Sequence, residues 1–507
     1  MGFCRFTVRS GCYRRTGSRG ASPDLPRVGG SSPRTGKDTD TAMNHQNHSH
    51  EPEPDHRPGG YRAWSRRRWW AVGLAGVVGL TLTTVGIVAA TPAADSIGRA
   101  LTIDDRAEQP HQPYRDDRGK KGDPGKRDDK GKREKEEKKP QGTPVPCDAD
   151  ALIAAITLAN ARGGATLNLA KDCTYLLTAD LDGNGLPVIT TPITLNGNKN
   201  TTLERAAAAD QFRILTVNVG GDLTLNHLKV TGGHTTDDGG GILVNPGGAL
   251  TTNHSTITRN IADSDGGGIA NNGTTRITHS TISHNTAAGS DGGGILNSGL
   301  LTIDESQIRS NTAAQGGGIA STTGTVQLTH STVSANQATF YGGLTLVNTS
   351  STVADTHITH NNAEQTGGVR VLDGQLTLRS VVLAQNSGTL SRVGGLAVDP
   401  ATPVVVEDSV ITGNTAAKDG GGIYNAGDLV VRRTRISGNQ AEQGGGIYNT
   451  ATGTVTLNAT KIVKNTADID GGGSFNDGGT VNLNTATGTI VINNRPDNCV
   501  NVSGCAG

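Results

Sequence analysis

Aromatic side chains are scarce in this sequence, at 3% of 507 residues. A large globular core filled by aromatic rings is therefore excluded. Net charge is missing too. Lys+Arg 46 balances Asp+Glu 46, so the chain lacks the long-range field that gathers nucleic-acid phosphates, and no nucleic-acid partner is expected. Only six cysteines occur, Cys4, Cys12, Cys147, Cys173, Cys499 and Cys505, and their spacing fits no zinc pattern. The last four form one local pair at each end of the C-terminal two thirds. That suits disulfides made outside the cytoplasm, so Cys147–Cys173 and Cys499–Cys505 are the expected bonds. After Gly164 no stretch shows the three-and-four apolar spacing of an amphipathic helix, which argues against an α-solenoid. What the chain has in excess is glycine, 72 residues of it.

The first third is organised as a leader, an apolar segment and a spacer. Residues 1–42 are basic, rich in Arg, Ser and Gly, and without apolar periodicity, as in a disordered leader. The only methionines are Met1 and Met43, and translation from Met43 is the expected start. Residues 43–94 then read as a signal peptide or transmembrane anchor: Arg66–Arg67–Arg68 precedes an apolar stretch at 69–90 that ends in small residues. Val88 and Ala90 suit signal-peptidase subsites. The run of about 20 residues is also long enough to stay in a bilayer as an anchor with its basic end inside. The arginines before Trp69 loosely match a twin-arginine signal, so the export route stays open. Either way residues from Cys147 onward are placed outside the cell. Residues 95–146 alternate Lys/Arg with Asp/Glu, hold almost no apolar side chain and are expected to be a disordered charged linker.

Residues 147–507 repeat. A Gly-Gly-apolar triplet recurs at Ile242, Ile269, Ile295, Ile319, Leu344, Val369, Leu396, Ile423 and Ile447, with Ser474 closing the series, at steps of 24 to 27 residues. An asparagine keeps the same phase: Asn260, Asn285, Asn311, Asn336, Asn361, Asn386, Asn414, Asn439 and Asn465. Three residues before each stands an apolar side chain such as Ile257 or Leu383, and eight and ten residues before it further apolar positions alternate, as at Leu429 and Val431. Each repeat thus offers three short period-two segments separated by turn residues. Such a segment cannot bury its apolar face alone, but three per turn wound inward make a prism that the neighbouring turns complete. The fold class is all-β: a right-handed, single-stranded parallel β-helix of about 12 coils, its hand set by the handedness of parallel crossovers. Asp148 caps a short N-terminal helix whose Leu152, Ile153, Ile156 and Ala159 cover the first coil, ended by Gly163–Gly164. Val481 to Ile492 forms the last coil, tied by the Cys499–Cys505 loop.

The markers have expected physical roles. Paired glycines give positive φ and close approach at a corner, and asparagine makes a left-handed turn while hydrogen-bonding the next asparagine along the axis. A second set, Asn271, Asn297, Asn425, Asn449 and Asn476, reads as structural.

Gly420–Asn425 (Gly-Gly-Gly-Ile-Tyr-Asn) and Ile411–Asn414 (Ile-Thr-Gly-Asn) resemble the paired GG-apolar and FxxN repeat of chlamydial polymorphic outer-membrane proteins, with Ile or Val mostly in place of Phe. The opening, Cys147 then Leu152, Ile156 and Asn160, is similar to the Cys-Ser-Leu-Arg start of secreted bacterial β-helix proteins, with Ile153 where the Arg would stand. The resemblance covers roughly residues 147–507 and implies the β-helix of the pectate-lyase-like superfold. Its members include adhesin passengers, uncharacterised surface proteins, and polysaccharide lyases and hydrolases. The export segment and spacer look like a Gram-positive actinobacterial arrangement, and no autotransporter route is expected.

Three side-chain sets are candidate sites. Asp238, Asp265 and Asp291 precede the glycine turn in successive coils, and stacked at about 5 Å they would repel unless solvated or bridged by a hard cation, Ca²⁺. Against this, Asp-Gly also simply favours a turn. Tyr424, Tyr448 and Phe475 follow the apolar marker in three consecutive coils and should stack on the outer face, as a platform for sugar rings or as sheet stabilisation. His254, His279 and His330 share one repeat position with Glu305 and Asp355, which reads as an interchangeable solvent-facing site. Coil lengths vary little after Gly232, so no long loop walls a cleft. No catalytic residue is assigned. The expected function is an extracellular, monomeric, non-catalytic binding or adhesion rod contacting glycans or cell-envelope components. A polysaccharide lyase or glycoside hydrolase, or a structural envelope protein, are the alternatives.

Overall fold

The computed structural model describes residues 142–506. The leader at 1–42, the export or anchor segment at 43–94 with its apolar run at 69–90, and the linker up to residue 141 lie outside the described residues. Among the described residues no helix is long and apolar enough to cross a membrane. The ordered body begins slightly ahead of its expected boundary. Thr143–Val145 is a strand paired in parallel with Ala165–Leu169, so the last residues of the expected linker belong to the first coil.

Strands of the first face recur at fourteen levels, starting at Thr143, Ala165, Pro192, Asp222, Ala249, Thr274, Leu300, Thr325, Ser350, Gln375, Pro403, Asp428, Thr454 and Thr480. The protein is a parallel β-helix, about 60 Å long at about 4.8 Å per level. Two more coils are present than the expected 12. The count fell short because the three earliest coils carry no Gly-Gly-apolar marker: Leu215, for example, follows Phe212, Arg213 and Ile214.

The strands pair in parallel into sheets of 25, 10 and 12 members. The largest sheet turns a corner within most coils, so a coil has four segments, not three. One coil runs Leu300–Asp304, Gln307–Arg309, Thr312–Gln315 and Ile319–Ser321. The segment after the asparagine is marked in the sequence only by an alanine two residues on, as at Ala313 and Ala363, and is too short to show the alternation of the other three.

Register is kept from coil to coil. Ile269 faces Ile295, Ile295 faces Ile319, and the series continues to Ile447 against Ser474. Inward residues of every face are fully buried, among them Ile257, Ile303, Leu378, Val431 and Ile462. Each such side chain contributes about 1.5–3 kcal/mol relative to exposure, and only because a like residue lies above and below it.

The ends are closed differently. Helix α1 (Ala149–Arg162) starts with Asp148 accepting from the Ala151 amide at 2.8 Å and ends at left-handed Gly163, as expected. Leu152, Ile156 and Ala159 are buried against the first coils, with Ile153 half-buried. Cys147 and Cys173 are bonded there, and Cys499 and Cys505 at the other end, where both pack partly buried against the core, as do Val481 and Leu483 of the last coil. Both expected pairings are present.

Candidate functional site

The asparagines form one unbroken, buried column. In each step the lower asparagine presents both its backbone N–H and its Nδ2 to the Oδ1 of the next. Asn336 donates to Asn361 at 3.0 Å through both groups, and Asn361 donates to Asn386 in the same way. The Nδ2 group also reaches a carbonyl of the coil below, as from Asn361 to Val333 at 3.0 Å. The column therefore saturates buried amides that an apolar residue would leave unpaired. It extends past Asn465 to Asn494, whose coil lacks the glycine marker in sequence.

One expectation about the column needs correction. The asparagines do not occupy the left-handed region. The residue just before each does: Arg259, His284, Ser310, Ala335, His360, Gln385 and Lys464 have φ between 53° and 59°. The glycine corner divides its labour similarly. Gly239 has φ 73°, whereas Gly241 is needed for space, since a Cβ there would sit 2.6 Å from the Gly268 carbonyl oxygen.

The second asparagine set is also structural: Asn271 donates to Asn297 at 2.7 Å, and Asn425 to Asn449 and Asn449 to Asn476 at 2.8 Å. A hydroxyl ladder five residues before each column asparagine was missed. The backbone N–H groups of Ser255, Ser280 and Ser306 each donate to the hydroxyl oxygen of the next coil, at 3.0 to 3.1 Å. Serine or threonine stands there, with one valine, so no single residue type marked it.

Asp238, Asp265 and Asp291 do stack, but they bind the backbone. Asp238 Oδ1 accepts from the Asp265 amide at 3.2 Å, and Asp265 Oδ1 from the Asp291 amide at 2.6 Å. Burial pushes the Asp265 and Asp291 carboxyls up from the usual range, and neighbouring carboxylates push Asp265 further the same way. Among the described residues, no three His, Cys, Asp or Glu side chains converge as a metal site would require. The repulsion between coils is thus reduced by N–H donors.

The histidines occupy a left-handed corner six residues before the asparagine, where φ is 50° at His254, 48° at His279 and 45° at His330. Histidine, aspartate and asparagine tolerate that region better than bulkier residues, which explains the mixture at this position. His227, from a coil below the column, joins them: the rings of His227, His254 and His279 stack at 4.8 and 4.6 Å. His330 lies 3.0 Å from Asp304, and that hydrogen bond raises its pKa.

Tyr424, Tyr448 and Phe475 stack as expected, with centroids 5.5 and 5.3 Å apart and planes within 10°. Their faces are turned along the rod and onto one another. Arg392 lies over the remaining face of Tyr424 at 5.1 Å, and Phe475 sits in register with Val500 on its far side. Only ring edges reach outward, and Tyr448 is just 9% exposed. Stacking a sugar needs a free face, so the geometry favours the stabilising role of this stack. Burial pushes the Tyr448 hydroxyl up to about 12, helped by Asp419 and Asp477.

Around this stack lies a cluster that sequence spacing did not indicate. Arg370 covers Tyr341 at 4.3 Å and approaches Asp399 at 2.7 Å, as an ion pair out of hydrogen-bond alignment. Asp419, set beside Arg392, and Asp399 are half-buried, and burial raises both carboxyls. Arg392 and Asp419 share one phase and Arg370 and Tyr424 another, but Tyr341 and Asp399 stand at further phases, and only folding brings the set to one face.

Comparison with known proteins gives one sequence match. Residues 408–426 match the Chlamydia polymorphic membrane protein (Chlamydia_PMP) repeat. That stretch holds both Ile411–Asn414 of the asparagine column and Gly420–Asn425 of the glycine corner, so the similarity rests on the two markers that build a coil. It spans 19 residues of the chain. No curated protein matches the sequence. Among solved structures, tailspike protein 3 of bacteriophage CBA120 is similar at 14% identity with a TM-score of 0.40, over 69% of this chain and 59% of the tailspike.

Proposed function

We propose that the protein is an extracellular, non-catalytic binding or adhesion rod that contacts glycans or other cell-envelope components. The observation that carries this reading is the outer surface: parallel strands in constant register present columns of outward side chains about 4.8 Å apart, fixed by a buried amide ladder. Such columns suit a polymeric ligand with its own repeat. The disulfides at both ends support a place outside the cytoplasm. Retention of the protein on a glycan array, with and without calcium and with reducing-end release followed in parallel, tests it. Selective retention without release is expected, and retention of no glycan or envelope polymer sinks it.

A second reading, a polysaccharide lyase or hydrolase, is favoured by one observation. Asp399 and Asp419, with raised pKa, lie beside Arg370, Arg392 and Tyr424 on one face. Turnover lost on Asp399→Asn would establish it.

A further inference from the structure

The body of the protein is acidic. Residues 142–506 hold nineteen Lys and Arg against twenty-eight Asp and Glu. Basic side chains nevertheless gather at one place, the corner and second segment of the last coils. The outward column on that segment runs Lys229, Thr256, Thr281, Gln307, Thr332, His357, Val382 and Val410, with Lys229 alone among them basic. It then turns to Arg435 and Lys461 in direct register. Like charges opposite one another on adjacent strands are destabilising, and both side chains are exposed.

The neighbouring arginines show what a satisfied pair looks like here. Arg432 meets Glu407 at 3.0 Å, and Arg433 meets Asp408 through two bonds of 2.6 and 2.9 Å. Among the described residues no carboxylate lies within 4.0 Å of Arg435, Lys461, Lys464 or Arg495. Lys464 and Arg495 line a hollow of 470 Å³ together with Asn465, Thr466 and Asn493. Lys464 and Arg495 thus border a hollow beside the segment that carries Arg435 and Lys461, and among the described residues no carboxylate offsets the repulsion between them.

We propose that Arg435, Lys461, Lys464 and Arg495 form a binding surface for an anionic polysaccharide, its carboxylate or phosphate groups taking the place of the missing counter-ions. One coil step is close to the length of one sugar ring, so anions on successive sugars meet cations on successive coils. This assignment rests on the binding-rod reading and names its ligand class.

The test uses the full chain against immobilised polygalacturonate, poly(glycerol phosphate) and neutral dextran. Binding to at least one anionic polymer and not to dextran is expected, weakened about tenfold or more between 50 and 500 mM salt. The relative strength of the two separates carboxylate from phosphate as the recognised anion. The triple variant Arg435→Ser, Lys461→Ser, Lys464→Ser should lose that binding. A control of equal charge, Arg162→Ser, Lys171→Ser, Lys199→Ser, should keep it. Lys461→Glu supplies the absent counter-ion in register, so it should raise the thermal midpoint while lowering binding, which separates lost recognition from lost folding. Equal loss in the control, no loss in the triple variant, or preference for single-stranded DNA over both anionic polymers would overturn the assignment. Binding of neutral polymers alone removes only the anionic ligand, whereas binding of no polymer at all removes the rod reading beneath it.

Discussion

The first three coils and the ten that follow bury similar apolar side chains but are joined in different ways. The early coils rely on single large pieces. Tyr175 is fully buried, donates to the Val145 carbonyl at 3.0 Å and accepts from the Ala170 amide at 2.9 Å; Phe212 fills the next interior; and Asn160 of the capping helix donates to the Val188 carbonyl at 2.7 Å. None of these interactions recurs. In the later coils one interaction recurs at every step, and the inward positions are filled mostly by Ile, Leu, Val and Ala. Aperiodic joints concentrate stability in a few side chains and one disulfide, whereas the asparagine column spreads it evenly and makes each coil depend on the next.

The largest effect should come from interrupting the column. Asn361→Ala removes the acceptor of the Asn336 amide and Nδ2 and the donor to the Val333 carbonyl, leaving buried groups unpaired. A loss of roughly 3–5 kcal/mol is expected by denaturant unfolding. It should be accompanied by separate unfolding of the coils on either side. Removing the N-terminal disulfide by Cys147→Ser with Cys173→Ser should cost about 3 kcal/mol for a 26-residue separation. Hydrogen exchange should rise in the early coils and stay unchanged in the later ones, which would sharpen the contrast between the two regions.

How much of this was legible in the sequence follows the same division. The ten coils with two markers were placed in register because each marker answers to one steric or hydrogen-bonding need. The early coils were undercounted because Tyr175 and Phe212 do by bulk what no repeat announces. Residue identity also misled where two neighbours share a task. Asparagine tolerates positive φ, yet here the residue before it bends while the asparagine bonds. The Arg370–Asp399 pairing joins different phases of adjacent coils, which alignment of a repeat does not bring together, whereas Arg435 and Lys461 share one phase at a position where most other coils carry Thr, Gln or Val.

A smaller effect, of opposite sign, is expected at the acidic corner. The Asp265 carboxyl is raised by burial, so the folded state holds its proton more tightly than the unfolded chain. The stabilisation by that proton is complete below the ordinary carboxyl range and is lost as pH rises through the folded value. Asp265→Asn keeps an oxygen for the Asp291 amide. It should raise the neutral-pH melting temperature slightly and flatten the acid limb of the stability profile. The smallest effect concerns calcium: with the stacked carboxylates accepting N–H bonds, chelator should leave the melting temperature unchanged, and a shift reversed by calcium would restore a cation bridge at Asp238, Asp265 and Asp291.

Amide hydrogen exchange of the column asparagines tests the central claim most directly, because each backbone N–H from Asn260 to Asn465 is bonded to a buried side chain and not to a sheet partner. These amides should exchange as slowly as those of the strands around them, opening only with the coils themselves. Exchange at the rate of an exposed turn residue such as Val219 would show that the column does not hold the coils together.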